Sequence, residues 1–306
     1  MTFGHKSVLL AESIDLLKVD GGKGVFVDAT LGLGGHSEEI LRRLSPEGRL
    51  IGLDLDDRNL ADARERLKGS GNFKAVKSNF RDLDVVLQNE GIAEIDGILF
   101  DLGVSSAHFD DASRGFSFSK DAPLDMRLDP KAQLTAYDVV NSYKRQDLER
   151  VIRDYGEEYK YKRIADFIIN RRPIESTAKL AEIAALAKRG MKEKINPATQ
   201  LFQAVRIEVN DELNAMKEAL EKALAILKSG GVIAVISFHS LEDRIVKRYF
   251  AMEASDCICE NKRMPCMCGH VKRINLLTKK AIIPGEAETS ENPRSRSAKL
   301  RAAVKI

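Results

Sequence analysis

One stretch near the N-terminus constrains the fold of this chain more than any other. The apolar segment Phe26-Val27 runs into Asp28, and the glycine-rich turn Gly32-Leu33-Gly34-Gly35 follows before a helical pattern begins. A second apolar segment, residues 50–54, also ends in an acid, Asp54. In an open parallel sheet, ligands bind outside the carboxyl ends of the strands, and glycine lets the backbone approach a ligand closely. Because an acid at the end of the next strand can accept hydrogen bonds from both ribose hydroxyls, the stretch predicts an α/β fold that binds a nucleoside-containing cofactor.

The order of residues in this turn separates two kinds of cofactor. A dinucleotide fingerprint, G-x-G-x-x-G, holds a pyrophosphate at the helix N-terminus, but here Ser37 stands where the third glycine belongs. Asp28 precedes the first glycine by four residues, and a carboxylate beside a pyrophosphate is electrostatically unfavourable. Beside the amino group and sulfonium of S-adenosylmethionine it is favourable, so the turn favours that cofactor. The alternative is a glycine turn that only packs a helix on a strand.

The composition is that of an ordinary globular protein and limits the function classes. The 306 residues contain no apolar run that approaches the ~20 residues of a membrane span, and the N-terminus lacks the apolar core of a signal peptide. We therefore predict a cytoplasmic protein with no membrane partner. The net charge is only +3, but residues 262–306 hold eleven Lys or Arg against three Glu. This segment either meets phosphate or is a solvated basic tail.

All the cysteines of the chain lie close together: Cys257, Cys259, Cys266 and Cys268. In a cytoplasmic protein such a cluster indicates a metal or reduced thiols rather than disulfides. The C-x-C pairs differ from the usual C-x-x-C zinc knuckle, and His270 is an alternative ligand. The sequence therefore favours no resident metal, with these four cysteines as the candidates if one is bound and a reduced surface loop as the alternative.

The first hundred residues alternate strands and helices, which implies a parallel sheet. The predicted strands span residues 25–28, 50–54, 73–78 and 95–101. The next strand, residues 232–238, comes about 130 residues later, far more than a crossover needs. Between them, helical patterns begin at Thr135, at residues 145–155, at residues 160–171 and after Ser176. We predict a discontinuous sheet domain, residues 1–110 and 199–306, and an inserted helical domain, residues 111–198.

The chain returns to the sheet through one predicted amphipathic helix. Its apolar stripe runs from Phe202 to Leu227 and ends at Gly230-Gly231. A helix over residues 241–250 follows the fifth strand, and residues 275–283 and 298–304 are the predicted last two strands.

Polar groups near the strand ends are the candidates for chemistry. Asp101 ends the fourth predicted strand and is followed by Leu102-Gly103-Val104. Enzymes that methylate exocyclic amines need an acceptor here, because the amine lone pair of cytosine or adenine is delocalised into the ring, and the base must be unstacked in a pocket. The segment lacks the Asp/Asn-Pro-Pro-aromatic motif common in DNA amino-methyltransferases. The catalytic role stays open between three candidates, Asp101, Asp125 and His239.

Two further segments are dense in polar groups, residues 123–127 and residues 237–244. The second lies at the carboxyl end of the fifth predicted strand, where His239 and Asp243 can orient a base or a phosphate. The same segment resembles a capping box, so helix capping is an equal alternative for Ser240, Glu242 and Asp243. For His239 we favour a hydrogen-bonding role at the site.

With these motifs the chain resembles, nearly end to end, a known family: the S-adenosylmethionine-dependent cytosine-N4 methyltransferases of bacterial small-subunit ribosomal RNA. The matching motifs are His5 with Val8-Leu9-Leu10-x-Glu12, Asp28 to Ser37, Ser78 to Arg81, Asp101 to Ser106, Pro123 to Arg127, Tyr155 to Glu158, Phe202 to Asn210, Ser237 to Arg244, and Asn292 to Arg301. The resemblance implies a class I, Rossmann-like methyltransferase sheet with an inserted helical domain for substrate recognition. It implies methyl transfer to N4 of a cytidine in the decoding region of 16S ribosomal RNA, within the small ribosomal subunit.

The resemblance also implies a cofactor site. Residue by residue, it assigns this site to Gly34, Gly35, His36, Asp54, Phe80, Asp101 and His108. The glycine turn would hold the cofactor, Asp54 would accept the ribose hydroxyls, and Phe80 would lie against the adenine. The chain departs from the family at Asn196, Gln200 and Tyr159, which leaves details of RNA contact open.

We therefore predict an enzyme, an S-adenosylmethionine-dependent rRNA (cytosine-N4-)-methyltransferase. The candidates for RNA contact are Arg127, Arg206, Arg294, Arg296, Lys299 and Arg301. For Arg206 a structural ion pair is an equal alternative. Two rival functions stay open: a DNA cytosine or adenine amino-methyltransferase, and a catalytically silent RNA-binding assembly factor. The sequence leaves the proton acceptor undecided, and it does not distinguish a monomer from a homodimer.

Overall fold

The chain folds into two compact units. The structure is a computed structural model that describes residues 7–19, 21–105, 108–109, 111–190, 196–259 and 265–306. Unit 1 comprises Met1–Gly103 and Ala215–Ile306, and unit 2 comprises Val104–Asn214. His5 and Ser106, which belong to the predicted motifs, lie outside the described residues.

Unit 1 is built on a seven-stranded sheet. Its strands are β1 (Val25–Asp28), β2 (Arg49–Asp54), β3 (Phe73–Lys77), β4 (Ile95–Asp101), β5 (Leu227–Ser237), β6 (Ile274–Leu276) and β7 (Lys299–Lys305). Their order is β3-β2-β1-β4-β5-β7-β6. The first five strands run parallel, and β7 is antiparallel to both of its neighbours. The chain order reverses between β1 and β4, which is the switch point where such sheets bind ligands. The predicted Rossmann-like parallel sheet is confirmed.

Alternate residues along the central strands face two apolar cores. On β4, Ile98 and Phe100 lie in one core and Leu99 lies in the other. On β5, Ile233 and Val232 are divided in the same way. Because both faces of the sheet are buried, these strands are almost continuously apolar, and the sequence located the first four to within one residue.

Helices cover both faces of this sheet. Those of unit 1 are α1 (Leu10–Leu17), α2 (Gly35–Arg43), α3 (Asp57–Arg66) and α4 (Leu83–Asn89). The core that contains Phe100 also contains buried residues of α4, and the core that contains Leu99 contains residues of α1 and α2. Within the described parts of the chain, no helix has the length and apolar character needed to cross a membrane.

Unit 2 is helical and has a core of its own. Its helices are α5 (Ala136–Ser142), α6 (Arg145–Asp154), α7 (Tyr161–Ile169), α8 (Thr177–Ala187) and α9 (Thr199–Asn210). Thr135 and Asp138 form a capping box at the start of α5, and Ser176 caps α8 through its hydroxyl. These helices begin where the sequence predicted them, because the caps are local signals that need no tertiary contact.

The return to the sheet differs from the predicted single helix. The chain forms two helices, α9 and then α10 (Glu212–Ile226), separated by Asp211 in the left-handed conformation at φ 48°. Leu201 and Val205 of α9 belong to the core of unit 2. The compact helical unit therefore spans Val104–Asn214 rather than the predicted 111–198, because the apolar stripe is continuous across the break and hides it.

The remaining helices of unit 1 are α11 (Ser240–Glu253) and α12 (Glu286–Glu291). Buried residues of α10 and α11 complete the core that contains Phe100. Both C-terminal strands exist as predicted, but β6 is only three residues long and lies at the edge of the sheet.

Candidate active site

The turn after β1 is organised by the carboxylate of Asp28. Its Oδ2 accepts a 2.7 Å hydrogen bond from the Ser37 hydroxyl, and its Oδ1 accepts one of 3.2 Å from the Thr30 backbone N–H. The Thr30 hydroxyl in turn accepts a 2.6 Å bond from the N–H of Asp101. Burial raises the pKa of Asp28 to about 6, against the lowering effect of the two hydrogen bonds. The ends of β1 and β4 are thus joined through one threonine.

The glycine turn itself is held by the acid at the end of β2. Asp54 accepts hydrogen bonds from the backbone N–H groups of Gly32 (2.9 Å) and Asp56 (2.8 Å), and from the Asn59 amide. Gly34 adopts φ 78° immediately before α2, a conformation that favours glycine. The two sequence features that predicted the site, the turn and the second acid, are therefore in direct contact.

Of the three acids at the strand ends, Asp101, at the end of β4, has the carboxylate that accepts the fewest hydrogen bonds. Its Oδ1 is buried and has no hydrogen-bond partner among the described residues. Its Oδ2 lies 3.5 Å from Nδ1 of His36. Burial, together with the negative charges of Asp28 and Glu242, raises the pKa of Asp101 well above its usual range.

His36 and Phe80 flank this edge. Nε2 of His36 lies 3.0 Å from the carbonyl oxygen of Val8; because a carbonyl only accepts, Nε2 carries the hydrogen and Nδ1 is the atom that faces Asp101. Phe80 is half-buried at the start of a short 3-10 helix and packs edge-on against Phe100 with ring centroids 6.0 Å apart.

The structure gives His239 a capping role. Nδ1 of His239 accepts from the Glu242 N–H at 3.4 Å, and the Glu242 carboxylate accepts from the N–H groups of Phe238 (2.8 Å) and His239 (3.2 Å). The capping box of α11 is therefore His239 with Glu242, one residue earlier than the predicted Ser240 with Asp243.

Asp243 forms two separate ion pairs, with the two nearest basic residues of the C-terminal run. The Asp243 carboxylate lies 2.7 Å from Nε of Arg301 and 3.3 Å from Nζ of Lys299, and both are on β7. Although partial burial raises the pKa of Asp243, its hydrogen bond with Arg301 and the positive charges lower it overall. Lys299 and Arg301 are thereby engaged within unit 1, although the Lys299 side chain is 43% exposed. That they contact RNA stays a prediction.

In unit 2, the predicted polar segment around Asp125 is an ion-paired loop. Partial burial raises the pKa of Asp125, but hydrogen bonds from the Arg127 side chain and N–H lower it overall. The Asn210 side chain accepts from the Leu128 N–H (2.7 Å) and donates to the Met126 carbonyl (2.8 Å). Two motifs far apart in sequence, 123–127 and 202–210, thus form one structure.

Two other predicted residues of unit 2 also have defined partners. His108 is buried, its Nδ1 lies 2.9 Å from the Ser105 hydroxyl, and its ring packs on Phe116 with centroids 5.1 Å apart. Arg206 forms a two-pronged ion pair with Glu212, at 2.9 Å for each contact. For Arg206 the structural alternative is the one observed.

Comparison with known proteins now places the chain in a family. Residues 2–306 match the MraW methylase family. The chain belongs to this family. It is 50% identical to "Ribosomal RNA small subunit methyltransferase H" of Caldicellulosiruptor saccharolyticus and 48% identical to that of Caldicellulosiruptor bescii, each over 99% of this chain and 100% of the relative. The prediction of an S-adenosylmethionine-dependent methyltransferase, made from the motifs, is confirmed.

Solved structures with a similar fold have little sequence identity to this methylase. A crystal structure of an rRNA methylase from Streptococcus thermophilus is 13% identical, with a TM-score of 0.45 over 99% of each chain. A protein of Streptococcus mutans, solved in complex with SAH, is 12% identical with a TM-score of 0.46 over 99% of this chain and 100% of the other.

The residues at the sheet edge of this methylase fit a cationic cofactor. Among the described residues, no Lys or Arg side chain lies within salt-bridge distance of Asp28 or Asp101, although both are acids at neighbouring strand ends. A Cβ atom on Gly35 would meet the Ser7 hydroxyl, which would have to rotate away to make room. Buried acids without a cation match the ammonium and sulfonium of S-adenosylmethionine.

Several residues that build this edge were not singled out from the sequence. Thr30 and Asn59 were missed because a lone hydroxyl or amide close to an acid is common throughout a chain and forms no distinctive pattern. For Glu242 helix capping was one of two equal alternatives; the structure shows the cap, and the charge of Glu242 also acts on Asp101. Its position three residues after His239 was the signal for the true capping box.

The four cysteines lie together in unit 1. Their Sγ atoms are all within 4.8 Å of one another, and the thiols form no disulfide. The alternative ligand His270 is not part of this group, because its Nε2 lies 3.0 Å from the carbonyl oxygen of Met252. The arrangement is relevant to whether these cysteines bind a metal ion, which the sequence left open.

Proposed function

We propose that this methylase transfers a methyl group from S-adenosylmethionine to N4 of a cytidine in the decoding region of bacterial 16S ribosomal RNA. The relatives named ribosomal RNA small subunit methyltransferase H support a small-subunit rRNA substrate. The resemblance of the motifs to cytosine-N4 enzymes supports the position of the methyl group. The substrate in this proposal is the RNA within the small ribosomal subunit.

The observation that carries the proposal is the unpartnered oxygen of Asp101. A buried carboxylate oxygen without a hydrogen bond is costly, and this one lies at the end of β4, beside the switch point of the sheet. An amino group or a cation that approached it would recover that cost. Of the three catalytic candidates, Asp125 is paired with Arg127. Among the described residues, Oδ1 of Asp101 and Nε2 of His239 are both buried without a hydrogen-bond partner. Only the Asp101 oxygen is an acceptor, because Nδ1 of His239 accepts from the Glu242 N–H and Nε2 therefore carries the hydrogen.

S-adenosylmethionine would supply an electrophilic methyl group: the new bond to the cytidine amine would form as the bond from the methyl to sulfur breaks, with S-adenosylhomocysteine as the leaving group. The chain's own contribution is binding and orientation, because positioning and desolvation supply most of the rate in such transfers. Asp101 and Asp28 provide negative charge at the cationic end of the site. The proton released from the amine passes to water, since the methylated amine is acidic while it is cationic.

The assignment of individual residues to the cofactor is part of the proposal. The glycine turn at Gly34 and Gly35, with His36 behind it, would hold the methionine end. Asp54, fixed by two backbone N–H groups, would accept the ribose hydroxyls. The half-buried ring of Phe80 would contact the adenine. His108 belongs to the same predicted set, and its part in cofactor binding stays a prediction.

The helical unit is proposed to recognise the RNA. Its polar loop, residues 123–128, is held rigidly by Asn210 and by Arg114, whose Nη2 donates to the carbonyl groups of Arg127 (2.7 Å) and Leu128 (3.1 Å). A fixed loop suits the recognition of RNA shape. From the basic C-terminal run, Arg294 and Arg296 are exposed and remain candidates for phosphate contact.

The test is a methyl-transfer assay with labelled S-adenosylmethionine and three substrates in parallel: unmethylated small subunits, naked 16S rRNA and duplex DNA. Mass spectrometry identifies the modified nucleoside. We expect N4-methylcytidine from the subunits alone. Label in DNA would favour the DNA amino-methyltransferase, and cofactor binding without label in any substrate would favour the silent assembly factor.

A further inference from the structure

In the segment between α11 and β6, the described contacts lie at its base, whereas the tip formed by residues 265–269 is exposed. At the base, the Arg273 N–H donates to the Glu253 carbonyl at 2.8 Å, and the Arg273 guanidinium pairs with the Glu253 carboxylate. His270 contacts the Met252 carbonyl. Beyond these contacts, residues 265–269 are all exposed, and Met267 is 90% exposed. Burial of apolar surface therefore does not order this tip, and a short segment without a core usually needs a disulfide or a metal.

The sulfur atoms of the four cysteines have a geometry suited to one metal ion. A tetrahedral zinc ion with four thiolates, at 2.3 Å each, separates its sulfur atoms by about 3.8 Å. Here Cys266 and Cys268 are 3.4 Å apart, Cys257 and Cys268 are 3.9 Å apart, and all four sulfur atoms lie within 4.8 Å of one another. A disulfide needs about 2.05 Å between its sulfur atoms.

The C-x-C spacing is compatible with a shared ion. Both sulfur atoms of each pair lie near one point, because all four sulfur atoms are within 4.8 Å of one another. Backbone N–H groups also point at the sulfur atoms, from Ile258 to Cys268 at 3.5 Å and from Cys259 to Cys257 at 3.4 Å. Such outer-shell donors orient metal ligands and stabilise their charge.

We propose that Cys257, Cys259, Cys266 and Cys268 bind one structural Zn²⁺ ion that orders the segment between α11 and β6. An all-sulfur tetrahedral set selects zinc or iron, and a closed set of four protein ligands is typical of a structural zinc site. On binding, each protonated thiol loses its proton to solvent while the ion stays divalent. The site is independent of the proposed methyl transfer.

The first test is metal analysis of the full-length protein. Elemental mass spectrometry is expected to find about one zinc per chain in the wild type, and none in the double variant Cys257→Ser/Cys268→Ser. Met267→Ala is the matched control, because it changes an exposed residue between two ligands and leaves all four thiols; it is expected to retain the zinc. Circular dichroism establishes that each variant is folded.

A second measurement does not depend on any variant. The wild-type protein is stripped with a chelator and titrated with Co²⁺, which is expected to give the intense visible bands of tetrahedral cobalt thiolate at one equivalent. Zn²⁺ should abolish these bands and protect all four thiols from a thiol reagent. Trypsin should cleave at Lys272 faster in the stripped protein than in the zinc-loaded one.

Three results would overturn the proposal. The first is a folded protein with four free thiols that takes up neither Co²⁺ nor Zn²⁺. The second is zinc retained in full by the double serine variant. The third is iron, or a pair of disulfides, in place of zinc in the protein as purified.

Discussion

The acids at the sheet edge of unit 1 differ from four ion-paired acids of unit 2. In unit 2, acids are matched with cations: Glu158 with Lys188, Glu208 with Arg150, Glu212 with Arg206, and Asp125 with Arg127. At the sheet edge of unit 1, Asp28 has a hydroxyl and an N–H as partners, and Asp101 has an imidazole 3.5 Å away. The pKa of Asp125 is lowered, whereas the pKa values of Asp28 and Asp101 are raised by burial. Paired acids hold the helical unit together, and unpaired acids leave the sheet edge ready for a cationic ligand.

The largest effect is expected for the buried pair of unit 2. Lys188 and Glu158 are both almost fully buried, and Nζ of Lys188 also donates to Gln200 at 3.0 Å. Lys188→Met leaves the Glu158 carboxylate buried without its cation and should lower the free energy of unfolding by about 3–5 kcal/mol. The measurement is urea unfolding followed by circular dichroism, since the chain has no tryptophan.

Adding Glu158→Leu to Lys188→Met is the control, because removing both charges restores most of the stability if the loss came from the uncompensated carboxylate. A single variant as stable as the wild type would show that the pair does not hold unit 2 together, and the contrast between the units would fail.

Asp101→Asn should weaken cofactor binding by about 2–4 kcal/mol, or roughly 30- to 1000-fold. The wild-type affinity should also rise with pH, because a cation binds the carboxylate form and the pKa of free Asp101 is raised. This rise should be absent in the variant. Titration calorimetry with S-adenosylmethionine between about pH 5 and pH 9 measures both effects.

Asp125→Asn is the matched variant in unit 2. It changes the same atoms of an acid that is already paired, so the cofactor affinity should stay within a factor of about 2 of the wild type. Equal losses in the two variants would mean that the unpaired state of Asp101 has no special importance for the cofactor.

Asp28→Asn tests whether the sheet edge is held at a cost in stability. The folded-state pKa of about 6 lies above the ordinary 3.8, so the folded protein binds the proton more tightly and loses stability as the pH rises from about 4 to about 6. At pH 7.5 the variant should be more stable than the wild type by about 2–3 kcal/mol, with little difference at pH 4. Urea midpoints at the two pH values measure this, and a difference independent of pH would contradict it.

The smallest effect concerns the two capping boxes, one in each unit. Thr135→Ala should cost about 1 kcal/mol of stability, with no change in cofactor affinity. His239→Ser keeps a capping side chain at α11, so stability should stay within about 0.5 kcal/mol of the wild type. Thermal unfolding and methyl-transfer rates are measured together. Unchanged transfer by His239→Ser would reduce His239 to a cap, whereas lost transfer at full stability would restore it as a site residue.

Local patterns allowed most of the architecture to be predicted. The buried strands are continuous apolar runs, and each of β1, β2 and β4 ends in the acid that the sequence indicated. The break at Asp211 was not predictable in this way, because a residue in the left-handed conformation interrupts a stripe that stays apolar on both sides. The helical unit consequently begins earlier and ends later than its composition indicated.

The roles of single residues were likewise predictable from the sequence only in part. The sequence by itself determined the sheet, the glycine turn and the acids at its edge, since periodicity and strand ends are properties of neighbouring residues. Only the tertiary structure decided which polar atoms have partners: Asp243 pairs with Arg301, Arg206 pairs with Glu212, and Nδ1 of His239 caps its own helix. In the described part of the chain, Oδ1 of Asp101 and Nε2 of His239 have no hydrogen-bond partner. The reason is physical, because a charge is satisfied by whatever the fold brings within about 3 Å of it, and that distance is not written in the order of the residues.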